Sequence, residues 1–455
     1  MTAIIVFCSL SVLLVLGKFL RMKIRLLQKL YLPSSVIGGI VGLLAVQILG
    51  NRLPSDIVSA AQKLPGFLIN VIFAALFLGT TTPKFRQAFK MALPQLCMGQ
   101  LLAWGQYVIG LGLVGFVLIK AFGVPPAMGN LVEIGFEGGH GTVGGMVESF
   151  QHFGWEDGIA LGYTMATVGM ILGILLGMAL INWALRKGAI DSVRNFEERG
   201  DLERIGIYEP DKCPSAGRQT IICDSLDSLA WHIALVGLAI LLGFAMLKAF
   251  QFGENFLIPN AEHRFFTGFP LFPLCMIGGV LLQKTAEKCK MARLIDHGQM
   301  QRLSGASLDF LVVSAVATIK LSVVIANWLP LLILIVAGTL WSVFMVVWVA
   351  PRLYPEAWFE RAIAEFGQSL GVTATGLMLL RTVDPENRTS AAASFGYKQL
   401  IHEPIMGGGL WTAMALPLVF TMGWCYVWLF CLAMLAIWTF ITWRICLKNK
   451  KKPSP

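Results

Sequence analysis

The chain has 455 residues, of which 56% are hydrophobic and only 14% are charged, and its mean hydropathy is +0.70. This composition excludes a water-soluble globular protein and indicates a polytopic membrane protein. The formal net charge of +10 lies mostly in short loops beside apolar segments, so it indicates membrane topology and argues against a nucleic-acid partner.

Apolar stretches of membrane-spanning length recur along the chain. Eleven spans are predicted, at residues 2–20, 34–50, 64–80, 91–119, 158–186, 226–250, 265–283, 308–326, 329–350, 394–417 and 418–443. The first has no basic residue before its apolar core and no small-residue cleavage pattern, which predicts an uncleaved helix and not a signal peptide. The nine cysteines lack metal-ligand spacing, so neither zinc nor disulfides are implied and no cofactor is predicted.

The distribution of basic residues predicts the orientation. If the N-terminus is outside, alternation of the spans places most Lys and Arg residues on one side, which the positive-inside tendency identifies as the cytoplasm. A charged linker at 187–225 and the basic tail Lys448–Lys452 fall on that side, where the tail would meet anionic lipid. The predicted location is the inner cell membrane, with the C-terminus in the cytoplasm.

Weak self-similarity divides the chain into two halves. Leu32–Gly39 matches Phe272–Gly279 in its Pro, Ile and both Gly residues, at an offset of 240. At an offset of 232, one glutamate and three glycines of the first half align with the same residue types in the second half. The aligned residues are Glu133, Gly135, Gly139 and Gly144, with Glu365, Gly367, Gly371 and Gly376. An odd number of spans per repeat would invert the second copy. The predicted fold is therefore all-α, with five-helix repeats at 1–186 and 226–417 and an eleventh transmembrane helix with the tail at 418–455.

Each predicted repeat has a Gly-rich interruption between its fourth and fifth spans. In Gly135–Gly145 more than half of the residues are glycine, so no regular helix is expected there. Irregular backbone at bilayer depth is tolerated only where it is buried in protein or lines a wet cavity. Re-entrant hairpins are therefore predicted near 127–150 and 360–382, facing opposite sides. A tight, close-packed turn is the alternative for the first segment.

Opposed hairpins that meet near the middle of the membrane could bind an anion and a cation together. Backbone N–H groups would face the anion, while carbonyl and hydroxyl oxygens would suit a hard cation. The candidate binding residues are Gly138, Gly139, His140, Gly141 and Thr142 in the first segment and Gln368, Ser369, Gly371, Thr373 and Thr375 in the second. Alternatively, His140 is a packed, hydrogen-bonded side chain and the threonines bond to their own helices.

Two basic residues near this region could neutralise an anion. Lys320 lies twelve residues into the eighth predicted span, roughly 18 Å along a core about 30 Å thick, and an ammonium at that depth is costly without a partner. Outward snorkelling is the alternative. Arg381 is predicted to be an interfacial charge. His402-Glu403-Pro404 predicts a helix kink with a buried ion pair, since Pro404 is incompatible with a helical zinc motif.

At these motifs the chain resembles the bacterial glutamate:sodium symporter family, whose members carry a Gly-Gly-His-Gly-Thr hairpin in the first half and a Gly- and Thr-rich hairpin in the second. The first motif is Gly138–Thr142 here, and the resemblance extends from about Leu10 to Leu416, including Leu308-Asp-Phe310. It implies sodium-driven glutamate uptake, ten core helices in two inverted halves and a homodimer with a moving transport unit. The chain departs from the family in its eleventh helix and at Glu137, where a small residue such as Ser is expected.

The resemblance also points to an ion site. It implies that Asp309 supplies a sodium ligand, with Thr142 and Thr373 as further candidates, whereas position alone would make Asp309 an N-cap of the eighth span. Glu137 would repel an anionic substrate unless it were protonated or paired, so a different organic anion is an alternative substrate. A channel and a membrane-embedded enzyme are alternative classes. No nucleophile, zinc or phosphate-loop motif is present, and the chain is predicted not to be an enzyme.

Overall fold

The computed structural model describes residues 2–50, 53–80, 85–190, 200–209, 211, 213–257, 265–385 and 388–450. Every regular element in these ranges is helical, which confirms the all-α class for the described part of the chain. Helices are expected because a bilayer offers no partners to backbone N–H and C=O groups. Part of the predicted linker and the side chains of the basic tail lie outside the described residues.

The first half of the described chain contains ten α-helices. They are α1 (Thr2–Lys23), α2 (Arg25–Lys29), α3 (Ser34–Leu49), α4 (Ser55–Ala75), α5 (Phe85–Leu113), α6 (Ile119–Phe122), α7 (Leu131–Phe136), α8 (Gly139–Gly145), α9 (Val147–His152) and α10 (Asp157–Arg186). A π-helical turn at Val114–Leu118 joins α5 to α6. A 3-10 helix at Pro126–Asn130 leads into α7, so the Gly-rich segment is a series of short helices between two long ones.

The second half begins in the linker and contains eleven α-helices in its described residues. They are α11 (Asp201–Arg204), α12 (Ser228–Leu257), α13 (Phe272–Lys288), α14 (His297–Ala317), α15 (Leu321–Ala326), α16 (Trp328–Phe344), α17 (Ala350–Leu353), α18 (Trp358–Val383), α19 (Ala391–His402), α20 (Leu410–Met422) and α21 (Trp424–Lys450). A second π-helical turn, at Met345–Val349, joins α16 to α17. The predicted eleventh span corresponds to α21.

Eight helical stretches of the described chain are long and apolar enough to cross a membrane, and α3 and α20 are shorter apolar helices. Large apolar side chains also cover outward surfaces. On α12, for example, Phe252 is 78% exposed and Phe256 is 84% exposed. Such surfaces would be unfavourable in water and suit contact with lipid chains. The protein is therefore a multi-pass membrane protein.

Two predicted spans are wrong as continuous helices. The eighth, predicted at 308–326, begins earlier as α14 and is interrupted at Thr318–Lys320 before α15. The tenth, predicted at 394–417, is divided into α19 and α20 by residues 403–409. Pro404 has no N–H to continue α19. Gly407 and Gly408 then take positive φ angles of 65° and 105°, which glycine adopts most easily.

The two Gly-rich segments contact each other at their breaks. In the first, α8 begins at Gly139, whose φ is +68°. In the second, α18 is broken at Gly371 and at Val372, whose φ of 61° is unusual for a β-branched residue. A Cβ at Gly139 would collide with Cγ1 of Val372, so glycine is required for this approach. The polar groups beside both breaks are thereby brought together.

Backbone irregularities recur at the offset found in the sequence. The π-helical turns start at Val114 and Met345, and the positive-φ breaks lie at Gly139 and Val372. The sequence separation within each of these pairs equals that between the aligned Glu133 and Glu365, to within one residue. Two points stay predictions. They are the inversion of the second repeat relative to the first and the re-entrant course of the two Gly-rich segments.

Candidate functional site

His140 is buried near the start of α8 and faces α10. Its Nε2 lies 2.9 Å from Thr167 Oγ1, and its ring lies beside that of Tyr163 with the ring centroids 6.3 Å apart. The hydroxyl hydrogen of Thr167 is donated to the Tyr163 carbonyl at 2.8 Å. Thr167 can therefore only accept from His140, which assigns the imidazole proton to Nε2. His140 is therefore both packed and hydrogen-bonded.

The rest of the first motif is tightly packed backbone. Thr142 Oγ1 donates to the Gly138 carbonyl at 2.9 Å, which is the local bond that threonine commonly makes in helices. A Cβ on Gly138 would lie 2.7 Å from Thr142 Oγ1, and one on Gly141 would lie 2.8 Å from Ile69 Cδ1. The glycines therefore allow α8 to fit against α4. Gly408 lies next to Thr142 Oγ1 from the other half of the chain.

The second segment places its polar side chains among buried partners. Ser369 Oγ donates to the Phe366 carbonyl at 3.0 Å, and Thr375 is buried beside Gly371. Thr373 Oγ1 donates to Glu403 Oε1 at 2.7 Å. Gln368, described below, links this segment to both the first segment and α19.

A buried ion pair joins α18 to α19. Lys398 Nζ lies 3.0 Å from Glu365 Oε2, and both side chains are almost completely inaccessible. Gln368 Oε1 accepts a second bond from Lys398 at 2.9 Å, and Gln95 Nε2 donates to Glu365 Oε1 at 2.8 Å. Every charged atom of the pair therefore has a partner, as a stable buried pair requires. Because the ammonium is already paired, Lys398 is not a free cation for an anionic substrate in this conformation.

Glu133 is fully buried and saturated with donors. Tyr107 donates to Oε2 at 2.6 Å, while Oε1 accepts from Thr412 Oγ1 at 2.7 Å and from the Gly407 N–H at 2.9 Å. Hydrogen bonds of this kind stabilise a carboxylate without a counterion. The interruption between α19 and α20 therefore has a structural role, because it places the Gly407 N–H where it can donate to Glu133.

Glu137, the departure from the family motif, is bonded to the second half of the chain. His402 Nε2 lies 2.5 Å from Glu137 Oε1, and Gln368 Nε2 lies 3.4 Å from the same oxygen. α19 ends at His402, so the kink predicted at His402-Glu403-Pro404 is present. The partner of His402 is Glu137, which is distant from it in the sequence.

Asp309 lies apart from these contacts. It is exposed on α14 and lies near Ser35 of α3. Because α14 begins at His297, Asp309 is well inside the helix; the N-cap is Asp296, which accepts from Gln299 N at 2.9 Å. Asp309 and Lys320 do not lie on one continuous helix, because α14 ends before Thr318 and Lys320 precedes α15.

Lys320 lies at that interruption and lines a cavity of about 90 Å³ between α4, α9, α10 and α14. Its polar lining consists of Ser59, Gln62, Lys63, Gln151, Glu156, Tyr163, Thr318 and Lys320. The buried Tyr163 hydroxyl has no hydrogen-bond partner among the described residues. Since Tyr163 also contacts His140, the cavity adjoins the first Gly-rich segment. Arg381, by contrast, is exposed on α18.

The acidic cluster of Glu133, Glu137 and Glu365 with Lys398 and His402 was missed as a site by the sequence analysis. One signal for it was available, because the repeat alignment pairs Glu133 with Glu365. A second was the presence of Lys398 and His402 in an apolar span, where ionisable groups are rare and usually functional.

Comparison with known proteins gives a consistent result. A family model described as "Sodium/glutamate symporter" matches residues 1–386. A sodium/glutamate symporter from Escherichia coli (strain K12) is 22% identical over 376 residues, covering 81% of this chain and 86% of that protein. One from Haemophilus influenzae is 23% identical over 235 residues, covering 51% of this chain and about half, 54%, of that protein. One from Shigella flexneri gives the same values as the Escherichia coli protein.

Proposed function

Because this chain belongs to the sodium/glutamate symporter family, we propose that it carries glutamate or a similar small carboxylate anion into the cell together with sodium, by alternating access. Import of an anion against an inside-negative potential costs about 2.3 kcal/mol per charge per 100 mV. One sodium ion only cancels the charge, so at least two would let the membrane potential drive uptake.

One observation carries the proposal: the contact between Gly139 and Val372, where two broken helices meet amid buried polar side chains. Discontinuous helices that meet inside a membrane protein are typical of substrate and ion sites in secondary transporters. Val372 also has a backbone conformation rarely adopted by β-branched residues, and such strain concentrates at functional sites.

The repeated irregularities support the proposed architecture. We assign an outward N-terminus, two inverted repeats at 1–186 and 226–417, re-entrant segments near 127–150 and 360–382, and a cytoplasmic linker and tail. Two copies of one ancestral unit would leave π-helical turns and helix breaks at matching positions, as is seen at Val114 and Met345 and at Gly139 and Val372. Assembly as a homodimer follows the family resemblance.

The cavity at Lys320 is the proposed entry site for the anion. Lys63 and Lys320 supply two ammonium groups against the single carboxylate of Glu156, and the unpartnered Tyr163 hydroxyl can donate to a carboxylate. For sodium, oxygen ligands are proposed from Thr142 and Thr373 beside the contact of the two breaks, and from Asp309. Because Asp309 lies apart from the two threonines, it would belong to a separate sodium site.

The substrate class can be tested by uptake into proteoliposomes that contain the purified full-length chain. We expect labelled glutamate to enter when sodium is outside and far more slowly when potassium replaces it. Unlabelled glutamate, aspartate and other small carboxylates should compete in proportion to their fit, whereas neutral amino acids should not. Sodium-dependent uptake of a different organic anion, without competition by glutamate, would contradict the assigned substrate but not sodium coupling.

A further inference from the structure

Glu137 has one carboxylate oxygen that the fold leaves unused. The side chain is only 3% exposed. Its Oε1 accepts from His402 and Gln368, but its Oε2 is buried without a hydrogen-bond partner among the described residues. A buried, unpaired carboxylate oxygen is unfavourable unless something binds to it.

The protonation state of His402 follows from its neighbours. Trp104 Nε1 donates to Gln100 Oε1 at 2.8 Å, which fixes the orientation of the Gln100 amide. Gln100 Nε2 therefore faces His402 Nδ1, 3.1 Å away, and donates to it. With Nδ1 accepting, His402 carries its proton on Nε2 and donates it to Glu137. His402 is neutral and does not compensate the charge of Glu137.

The charges around Glu137 do not balance either. The titratable groups that face or flank Glu137 come from several elements. They are Glu133 on α7, Tyr107 on α5, Glu365 on α18, Lys398 and His402 on α19, and Glu403 directly after α19. His140 and Tyr163 lie beyond the break and contact each other. The residues of α16 include no titratable group. Lys398 is paired with Glu365, and among the described residues no cationic side chain contacts Glu137 directly.

The surroundings of Glu137 suit a proton better than sodium. Its neighbours at Oε1 are N–H donors, which repel a metal ion. Sodium needs a shell of oxygen ligands, by analogy with other hard cations. A proton needs only the free lone pair of Oε2.

We propose that Glu137 is a proton-binding site and that one proton is transported with the substrate in each cycle. The proposal rests on the sodium-coupled transport proposed above. A proton from the outer aqueous side adds to Oε2 and forms a neutral carboxylic acid, and the same proton leaves to the cytoplasm when the site opens inward. The bond from His402 to Oε1 is kept in both states.

Gln368 links the protonation of Glu137 to the proposed conformational change. Its amide binds Glu137 through Nε2 and Lys398 through Oε1, so it connects the first segment to α19. Neutralising Glu137 weakens its bond to Gln368, because a carboxylic acid is a poorer acceptor than a carboxylate. Loading of the proton thus alters the contact between the two halves of the chain, as a coupled carrier requires.

The test measures glutamate and protons in one experiment. Proteoliposomes with a pH-sensitive dye inside, and with the potential clamped by potassium and valinomycin, receive labelled glutamate under a sodium gradient. We expect the lumen to acidify in proportion to the glutamate that enters. In Glu137→Gln, which mimics the protonated side chain, acidification should be lost while sodium-dependent exchange of labelled for unlabelled glutamate persists. The control Glu148→Gln, at an exposed position on α9, should acidify like the parent.

Each other outcome overturns a defined part of the account. Sodium-driven glutamate uptake by the parent without acidification overturns the proton site and leaves the symporter assignment intact, and this measurement needs no variant. Equal acidification by Glu137→Gln and the parent overturns the assignment to Glu137. If Glu137→Gln carries one labelled sodium ion fewer per glutamate than the parent, and its proton uptake is unchanged, then the cation bound at Glu137 is sodium. Absence of sodium-dependent glutamate uptake by the parent overturns the symporter assignment itself.

Discussion

Two lysines illustrate how position decides the role of a charge. Lys398 is completely buried and bonded to Glu365 and Gln368, so it serves the internal network. Lys320 is exposed to a cavity that it shares with Lys63, at the interruption that follows α14. A cation at a helix break that lines a cavity can approach a solute without losing a protein partner. Lys320 is accordingly the better candidate for the substrate carboxylate.

Replacing this lysine should weaken substrate binding. We expect Lys320→Met to raise the KM for glutamate by about tenfold, equivalent to about 1.4 kcal/mol, because one of two ammonium groups in the cavity is removed. The control Arg381→Gln changes an exposed charge outside the cavity and should leave KM near the parent value. Both variants are measured at matched protein content in proteoliposomes. An unchanged KM in Lys320→Met would mean that the anion is held elsewhere.

At the scale of helices, the elements that carry the proposed binding residues are the ones that break. Helices are interrupted at Gly139, Gly371–Val372, Thr318–Lys320 and 403–409, which leaves backbone N–H and C=O groups there outside regular helical hydrogen bonding. Hydropathy predicted most of the long helices, because it averages over the length of a span. The same averaging hides a short interruption, so the break within the eighth span was not predicted, and the break within the tenth was indicated only by the kink expected at His402-Glu403-Pro404.

If the broken elements move in transport, their accessibility should change. Thr142→Cys and Thr373→Cys, each in a background without the nine native cysteines, are labelled with membrane-impermeant thiol reagents applied to one side at a time. We expect the labelling rate on each side to change when sodium and glutamate are added together. The control Ser225→Cys, exposed in the linker before α12, should label from one side only and ignore both solutes. Identical behaviour of all three positions would argue against alternating access.

For the whole molecule, the sequence predicted the all-α membrane class, which the described residues confirm, and a repeat, which stays a prediction, but it did not predict the acidic cluster. Composition alone dictated a membrane protein, and the repeat alignment placed Glu133 and Glu365 in equivalent positions. The bond between Glu137 and His402 joins opposite halves of the chain, so no local pattern reveals it. Only the fold brings the first Gly-rich segment, α18 and α19 together, and that arrangement turns isolated polar residues into one connected network.

The central claim is that this network couples the movement of an anion to a sodium gradient, and concentrative uptake tests it most directly. Proteoliposomes containing the full-length chain are given an inward sodium gradient with the potential clamped, and glutamate is measured on both sides over time. The account predicts that lumenal glutamate rises above the external concentration and falls back when a sodium ionophore abolishes the gradient. Equilibration to the external concentration, unaffected by sodium, would contradict it and indicate a passive channel.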